Sequence, residues 1–588
     1  MTNQELALLF KHMAAAYTIK DDKKYRFQII AYQKAADTIE KLNTEAESLY
    51  KENALTNLPG IGPTIKSHIE ELFSTGRVSH FDTILKTVPS CVFPLLDIPS
   101  FGPKRAIKLV TAFSLENPLT VIEDIERLAI DGKIAPLETF GEKSQKDILH
   151  SISEYKLGKT KSGRMVLPYA VEQANKIISY MKKCPEVLDI YPLGSLRRMV
   201  STIGDIDIAV SSNFPEKVID HFVKYPQMNR ITEKGNIYSA ITISGNKQVD
   251  LKVLKPENLG SLLQYFTGSK QHNIKLREFA LKNGFSLSEH GIKIKNMNNE
   301  LREFSSEVDF YKFIGLPWIP PELREDTGEI EAALKNKLPK LVQLQDIKGD
   351  LHIHSNYPIE PSHDLGNNSM QEMLDKAKGL RYEFLGFSEH NPGVTNHTKS
   401  QIYSILSKRK DKIEQLKKSN KSIRIINLLE TDILASGELA LDDKSLELVD
   451  ALIVSIHSSF GMSKEKMTQR ILAGLSHPKA KIFAHPTGRL INERTGYEID
   501  WEMLFDFITK HNKALEINSW PSRLDLPDTL VKYAKGRGVK FIINTDSHAT
   551  THMDNMFYGV SVARRGWCEK SDILNTYTSQ KFISWITQ

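Results

Sequence analysis

The sequence contains little cysteine and no long apolar run, and both shortages narrow what the protein can be. Its three cysteines, Cys91, Cys184 and Cys568, are scattered over 588 residues and form no Cys-x-x-Cys pair. They cannot build a disulfide framework, which favours a reducing, cytoplasmic location. A helix that spans a bilayer needs ~20 consecutive apolar residues. No run in the sequence reaches that length, so we expect no membrane partner.

A strong charge of one sign and a recognisable leader segment are also missing. The net charge of +6 permits nucleic-acid binding without requiring it. Residues 1–17 lack a basic segment followed by a cleavage site, and we interpret them as an amphipathic helix. The composition, with 40% hydrophobic and 26% charged residues, is typical of a globular protein. One core rarely extends beyond ~250–300 residues, so the chain is expected to hold several domains.

Two segments that alternate carboxylate and apolar residues stand out. Asp205 and Asp207 lie two residues apart in segment 204–210, so they share one face of a predicted strand. Segment 248–254 alternates in the same way and carries Asp250. If the two strands pair, three carboxylates meet on one sheet face, where hard oxygen ligands suit Mg²⁺ completed by substrate phosphates. A solvated strand edge without catalytic function would show the same alternation of residues.

A small-residue turn just before the first acidic strand favours the catalytic interpretation. Gly194 and Ser195 let backbone N–H groups approach an anion, and Arg197 and Arg198 add fixed positive charge. A phosphate clamp beside a carboxylate pair is the set of groups that two-metal phosphoryl transfer requires.

Together with Tyr265-Phe266-Thr267-Gly268-Ser269, these motifs resemble those of the family X DNA polymerases. The resemblance implies an α/β nucleotidyltransferase palm in which Asp205, Asp207 and Asp250 are catalytic and bind Mg²⁺. It places Asp250 near the primer 3′-hydroxyl. It also implies dNTP and gapped or primer–template DNA as substrates.

The same resemblance implies further binding residues. The incoming nucleotide would contact Gly194, Ser195, Arg198, Tyr265, Phe266, Gly268 and Asn273. Arg277 would lie at the template. Lys252 and Lys270 stand where some relatives carry arginine and aspartate, so their roles stay open.

The N-terminal part is expected to be helical, with three glycine turns that each open a helix. The turns lie in segments 58–63 and 98–104, with a weaker copy in 137–143. A helix N-terminus can seat a phosphate, although a turn followed by a helix is also a common structural feature. The turns resemble helix-hairpin-helix motifs, which implies sequence-independent contact with DNA phosphates. The residues concerned are Gly60, Gly62, Gly102 and Lys104.

One position departs from the family pattern. In several relatives the helix after the first hairpin carries a lysine that forms a Schiff base with a deoxyribose-phosphate end. The matching position here is His68, and Lys66 lies two residues earlier. Imidazole forms Schiff bases poorly, so we predict weak or absent lyase activity by this route. Tyr32 and Lys34 are compatible with a 5′-phosphate site and equally with a solvated helix face.

The C-terminal part carries ligand-type residues at the ends of apolar, strand-like runs. His352 and His354 alternate with apolar residues and project from one strand face. The other candidates are His390, Glu430, His457, His485, Asp546 and His548. Strands alternate with helices such as 370–378 and 501–510, which favours a parallel (βα) barrel whose site lies at the carboxyl ends of the strands. Imidazole and carboxylate ligands suit manganese, zinc or iron.

Residues 346–588 resemble the polymerase-and-histidinol-phosphatase (PHP) domain. The resemblance implies a distorted barrel that holds up to three Mn²⁺ or Zn²⁺ ions with these residues and one aspartate. Asp364, in the longer loop 356–368, is the candidate for that aspartate, and Glu389 replaces a more usual aspartate. We interpret this part as a 3′–5′ exonuclease. A small-molecule phosphatase and a non-catalytic DNA-binding module are the alternatives.

The predicted fold class is multidomain and the protein is expected to be a monomer. Helix-hairpin-helix domains would precede the α/β palm, a small domain and the PHP barrel. The boundaries are 1–85 and 86–160 for the helical domains, 161–256 for the palm, 257–320 for a nascent-base-pair-binding domain, 321–345 for a linker, and 346–588 for the barrel.

Overall fold

In the computed structural model the chain forms two compact units, Met1–Gly163 and Arg164–Gln588. The structure describes residues 3–40, 46, 50, 55, 61–98, 101–156, 164–243, 247–295, 300–492, 494 and 496–588. Among the described helices, none combines the length and the apolar character that a bilayer-spanning segment requires.

The N-terminal unit is built from helices. Helices α1–α8 cover Asn3–Asp21, Arg26–Glu40, Pro63–Thr75, Ser79–Leu85, Val92–Leu95, Pro103–Ala112, Val121–Ile130 and Glu142–Lys156. Helices α3 and α6 each begin with a proline directly after a glycine, Gly62 or Gly102. Proline suits this place because the first helical N–H has no partner within the helix and the proline φ is already helical. The helical prediction is confirmed for the described residues.

The second unit begins with a sheet that is packed against helices. Strands β1–β7 cover Met165–Val166, Asp189–Pro192, Thr202–Ile203, Ile206–Ser211, Met228–Lys234, Tyr238–Ile243 and Lys247–Leu254. Helices α9–α11 cover Leu167–Met181, Gly194–Arg197 and Pro215–Phe222. The five-stranded sheet has the order β2-β4-β7-β6-β5, in which β4 and β7 run parallel and the other neighbours antiparallel. The short strands β1 and β3 pair with each other.

The sequence predicted most of this sheet. The sequence predicts strands over 238–243 and 247–254, joined by a turn at Gly245-Asn246. Strands β6 and β7 have these bounds and pair antiparallel, while the turn lies outside the described residues. Strand β5 was not predicted. Its side chains are exposed along nearly the whole strand, so the apolar alternation that identifies a half-buried strand is missing.

A helical pair and a small sheet follow. Helices α12 and α13 cover Leu259–Thr267 and Lys270–Lys282, strands β8–β10 cover Phe285–Ser288, Gly291–Ile294 and Glu300–Arg302, and α14 covers Glu307–Phe313. The apolar pattern of the sequence predicts a single helix over 259–283, and this prediction is wrong because the structure divides the segment into α12 and α13. Gly268 has φ +69°, which a right-handed helix cannot contain, and the Ser269 side chain caps α13 by accepting a hydrogen bond from His272 N–H.

The sequence predicts that the acidic residues after Pro317, Pro320 and Pro321, which are Glu322, Glu325, Asp326 and Glu329, are solvated. For Glu329 this prediction is wrong. The segment contains a 3-10 turn, Pro321–Leu323, and helix α15, Glu329–Leu334. The Glu329 carboxylate is fully buried, 2.6 Å from His272 Nδ1. The neighbouring Arg324 is also fully buried and donates to Glu307 at 2.6 Å. Buried charges are tolerated where they are paired in this way.

The rest of the chain is a nearly closed, seven-stranded parallel barrel, as the alternation of strands and helices predicted. Strands β11–β17 are neighbours in sequence order and cover Gly349–Asp350, Phe384–Phe387, Arg424–Asp432, Ala451–Ser455, Ala480–Phe483, Ala514–Asn518 and Lys540–Asn544. Helices α16–α23 cover Met370–Gly379, Lys399–Ser419, Asp443–Leu446, Lys464–Leu475, Trp501–Lys510, Asp528–Gly536, Met556–Arg565 and Ser579–Thr587. A parallel bridge between Ile353 and Ser547 joins the segments that follow the first and last strands.

A buried ion pair lies under the carboxyl ends of the barrel strands. Arg409 of α17 and Glu389 are each 1% exposed, and Arg409 Nε donates to Glu389 Oε2 at 2.8 Å. The other carboxylate oxygen accepts from the N–H of Ser355 at 3.2 Å, and Ser355 directly follows His354 in the segment after β11. Glu389, noted in the sequence as an unusual residue, therefore anchors the loop that carries that histidine.

Replacing the arginine of this pair should destabilise the barrel. Arg409→Met leaves the Glu389 carboxylate buried without its counter-charge, which costs about 3–5 kcal/mol. Urea unfolding followed by tryptophan fluorescence measures this, because four of the five tryptophans lie in the barrel. The exposed neighbour on the same helix gives a control, Lys408→Met, with an expected change below about 0.5 kcal/mol. Equal unfolding midpoints for the two variants would contradict the prediction.

Candidate functional site

Three carboxylates meet on the five-stranded sheet. Asp207 on β4 pairs in register with Asp250 on the parallel strand β7, and Asp205 lies directly before β4. Burial, followed by the charges of Asp250 and Asp205, raises the pKa of Asp207 to about 7, against the opposing charge of Arg198. Converging carboxylates of this kind suit a divalent cation, because a cation removes the repulsion that raises the pKa.

Two residues that sequence reasoning missed hold Asp250. Tyr238 on β6 donates its hydroxyl to Asp250 Oδ1 at 3.1 Å, and Gln248 on β7 donates its amide at 2.9 Å. Burial and then the charge of Asp250 raise the pKa of Tyr238 to about 12, so it stays a donor. Gln248 could have been found, because it lies two residues before Asp250 on the same strand face.

The predicted small-residue turn lies directly against the carboxylates. Gly194 has φ +55°, and a β-carbon at this position would overlap the Asp207 carboxylate. Leu193 N–H donates to the Asp207 carbonyl at 2.8 Å, which fixes the turn to β4. Glycine is required here both by the backbone conformation and by the closeness of Asp207. Ser195 follows within the single turn of α10.

The two arginines after the turn have different surroundings. Arg197 is half-buried and donates to both carboxylate oxygens of Glu307, at 3.0 and 2.9 Å. Arg198 donates from Nη1 to the Thr267 carbonyl at 2.6 Å and from Nε to Glu325 at 2.9 Å. A β-carbon on Gly268 would lie 3.0 Å from Arg198 Nη1, so this glycine allows the close approach.

The other predicted nucleotide and template residues form a group along α12 and α13. Asn273 donates to the Tyr265 carbonyl at 2.7 Å, and the Arg277 guanidinium lies 4.9 Å from the centre of the Tyr265 ring. Lys252 Nζ lies 4.1 Å from the centre of the Phe266 ring, so this lysine packs on an aromatic face.

The helix-hairpin-helix candidates lie in the N-terminal unit. Gly62 and Gly102 are the N-caps of α3 and α6, and a β-carbon at either would meet open space among the described residues. Lys104 pairs with Asp22 at 2.7 Å with both side chains well exposed. Gly60 lies outside the described residues.

The position matched to the Schiff-base lysine is part of an aromatic stack. Tyr32 Oη lies 3.0 Å from His68 Nδ1, and the rings of His68 and His80 stack with centroids 5.0 Å apart. Burial and then His80 lower the pKa of His68, so the ring is neutral near pH 7. Lys66 pairs with Glu70 on the same helix at 3.6 Å.

In the barrel, one buried carboxylate lies among five of the predicted histidines. Glu430 is 1% exposed on β13, and its two oxygens lie between 3.0 and 3.4 Å from imidazole nitrogens. The histidines are His352, His354, His390, His457 and His485. Asp546 adds a second carboxylate, 3.5 Å from His352 Nε2 and 3.4 Å from His354 Nε2. The strand-end residues that the sequence picked out therefore converge.

The structure brings Asp364 into the same cluster. Its two oxygens lie 3.2 Å from His390 Nε2 and 3.3 Å from His548 Nε2. These two neighbouring imidazoles hold the pKa of Asp364 well below its usual range. The long loop 356–368 is therefore able to deliver an aspartate to the site.

The chemistry of this donor set fits metal ions. Both ring nitrogens of His354 and Nδ1 of His485 are buried and make no hydrogen bond within the described part of the chain. A buried polar atom without a partner is costly, and an ion would provide one. In each of the following sets, the candidate ligand atoms lie within 4.8 Å of one another. The sets are His354, His390 and His548; His352, His354 and Asp546; and His390, Glu430 and His457.

Two further carboxylates in the barrel were missed. Glu516 on β16 accepts from His352 Nδ1 at 2.8 Å, and Asp432 accepts from His457 Nδ1 at 2.7 Å. Each therefore fixes the ring orientation of a candidate ligand. An acidic residue inside the apolar run Ala514-Leu515-Glu516-Ile517 was the available signal for the first. The loop residue His363, 3.2 Å from Asp432, had no such signal.

Comparison with known proteins adds two family matches and several relatives. The helix-hairpin-helix domain model matches residues 1–78, and the DNA polymerase beta thumb model matches residues 262–325. The DNA polymerase/3′–5′ exonuclease PolX of Bacillus subtilis is 32% identical over 579 residues, which cover 98% of this chain and 97% of that protein.

Eukaryotic relatives match a smaller part. DNA polymerase lambda of Arabidopsis thaliana is 25% identical over 55% of this chain and 62% of that protein. DNA polymerase lambda of Rattus norvegicus is 24% identical over 53% of this chain and 54% of that protein. The match to PolX, unlike these two, extends over nearly the whole of both chains. Together with the carboxylate site and the two family matches, it establishes that the chain belongs to the family X DNA polymerases.

Proposed function

We propose that this family X polymerase fills short gaps during DNA repair and removes 3′-terminal nucleotides with a 3′–5′ exonuclease in its barrel. The observation that carries the polymerase half is the Gly194 turn resting on Asp207, which itself pairs in register with Asp250. In the reaction the primer 3′-hydroxyl attacks the α-phosphate of a dNTP and pyrophosphate leaves. The substrates are dNTP and gapped or primer–template DNA.

The palm residues divide this work. Asp205, Asp207 and Asp250 would hold Mg²⁺, which supplies positive charge to the triphosphate. Tyr238 and Gln248 orient Asp250 toward the place of the 3′-hydroxyl. The remaining groups are proposed to bind the nucleotide and template: Gly194, Ser195, Arg198, Tyr265, Phe266, Gly268, Asn273 and Arg277.

The barrel is proposed to be a PHP-type nuclease site. Its candidate ligands, Asp364 among them, would hold up to three Mn²⁺ or Zn²⁺ ions, which supply charge to the phosphodiester and activate water. Glu516 and Asp432 orient the rings of His352 and His457. The buried nitrogens of His354 and His485 that make no hydrogen bond to any described residue argue against a purely structural barrel.

The N-terminal unit is proposed to bind DNA phosphates without reading sequence. The open space at Gly62 and Gly102 leaves room for a nucleic-acid backbone at the start of each helix, with Lys104 beside the second turn. The domain boundaries given above, a monomeric state and a cytoplasmic location complete the proposal.

Removing a palm carboxylate should separate the two activities. Asp207→Asn keeps the side-chain size but lowers the negative charge that holds the cation, so primer extension should fall by at least about 10²–10³-fold. Exonuclease activity on the same preparation should stay near that of the parent. Extension at the parental rate on a gapped primer would refute the palm assignment.

Removing a barrel histidine should give the opposite result. His485→Ala, tested alongside His352→Ala, should abolish degradation of single-stranded DNA and reduce bound Mn²⁺ or Zn²⁺ in elemental analysis, while extension persists. Asp207→Asn serves as the matched control with an intact barrel. If these variants lose hydrolysis of a phosphorylated amino alcohol but DNA degradation is unchanged, the barrel is a small-molecule phosphatase instead.

Because His68 occupies the position of the Schiff-base lysine, we expect the protein to have little lyase activity. Borohydride trapping with a 5′-deoxyribose-phosphate end should give only a weak adduct, and Lys66→Ala should not change it. The physical reason is that Tyr32 and the His80 ring engage an imidazole where the relatives carry an amine. A strong adduct that disappears in Lys66→Ala would show that the expectation is wrong.

A further inference from the structure

We propose that Arg565, in the last turn of barrel helix α22, is a positioning residue for Arg198, so that the barrel half helps to build the polymerase's triphosphate site. The inference rests on the proposed role of Arg198 in binding the dNTP triphosphate. It adds a residue more than 360 positions from Arg198 in the sequence to a site that residues of the palm and of helices α12 and α13 would otherwise form alone.

One carboxylate oxygen joins the two arginines. Glu325 Oε1 accepts from Arg198 Nε at 2.9 Å and from Arg565 Nη1 at 3.0 Å. Arg565 Nη1 also donates to the backbone carbonyl of Arg198 at 2.8 Å. The barrel helix therefore contacts both the side chain, through Glu325, and the main chain of Arg198.

Arg565 is itself held firmly. Its Nε and Nη2 donate to Asp528 Oδ2 at 2.8 and 2.7 Å, at the first turn of barrel helix α21. Its side chain is only 8% exposed. All three guanidinium nitrogens are thus engaged, and a planar group bonded on two sides has little freedom to rotate. The rigid barrel fixes Arg565, and Arg565 fixes Glu325.

The geometry indicates that Glu325 orients the Arg198 guanidinium and does not compete with the nucleotide for it. Glu325 occupies the Nε side of Arg198, and the Thr267 carbonyl occupies Nη1. Nη2 makes no hydrogen bond to any described residue, so one donor of the guanidinium is available to an anion. The guanidinium also lies close enough to the carboxylate site for its charge to oppose the rise in the pKa of Asp207. A phosphate bound there would meet an arginine already held in place, which reduces the ordering cost of binding.

The test compares two adjacent arginines on the same helix. Arg565→Met removes the donors to Glu325 and to the Arg198 carbonyl. Arg564→Met is the control, because Arg564 pairs with Glu322 at 2.8 Å and bonds the Val342 carbonyl at 3.1 Å but does not contact Arg198. Steady-state extension of a gapped primer and inhibition by pyrophosphate are measured in the full chain.

We expect Arg565→Met to raise the dNTP KM at least about tenfold, with kcat changed far less, since a charge-assisted contact is lost. The inhibition constant of pyrophosphate should rise in parallel, because Arg198 would contact the same phosphates. Arg565→Lys, which keeps the positive charge and a single donor nitrogen, should retain part of the affinity for dNTP and pyrophosphate. Arg564→Met should keep the parental KM within about twofold.

Two outcomes would overturn the inference. One is a dNTP KM and a pyrophosphate inhibition constant in Arg565→Met equal to those of Arg564→Met. The other is a fall in kcat with an unchanged KM, as a merely structural defect would give. Exonuclease rate reports whether the barrel is folded. If Arg565→Met fails that check, Glu325→Met decides, because it removes the shared acceptor, and an unchanged dNTP KM there refutes the inference. Absence of dNTP addition by the parent would instead refute the proposed function.

Discussion

Charged groups held close together and away from water are the constraint on which both candidate sites depend. In the palm, Asp207 lies opposite Asp250, and burial together with the charges of Asp250 and Asp205 raises the pKa of Asp207 to about 7. In the barrel, Glu430 is buried among five imidazoles. Each arrangement is costly alone and becomes favourable once a cation is bound. The donor atoms of both sites therefore fit divalent cations.

The surrounding structure balances these charges with rigid partners. Tyr238 and Gln248 hold Asp250, Glu516 holds His352, and Asp432 holds His457. Arg409 pairs with Glu389, which accepts a hydrogen bond from the loop at Ser355. Between the palm and the barrel, Glu325 is shared by Arg198 and Arg565. Hydrogen-bond partners of this kind fix the orientation of the candidate ligands and of Arg198.

Sequence reasoning succeeded where a site residue follows a strongly periodic segment. The strand carrying Asp250 and the strand ends carrying the barrel histidines were found from alternation and spacing. It failed where the determining contact is distant in the chain. The predicted long helix is broken at Gly268 by a left-handed backbone next to Arg198, and Glu329 is buried by a histidine 57 residues away. Periodicity carries no information about such partners.

The sequence by itself determined which residue types alternate along each strand, and hence which carboxylates and imidazoles share a face. Only the tertiary structure decided that β4 runs parallel to β7 with Asp207 opposite Asp250, that loop 356–368 brings Asp364 to His390 and His548, and that Arg565 reaches Arg198. The physical reason is that local preference fixes the direction of a side chain relative to its own strand. The partner that it meets is fixed by packing between segments far apart in the chain.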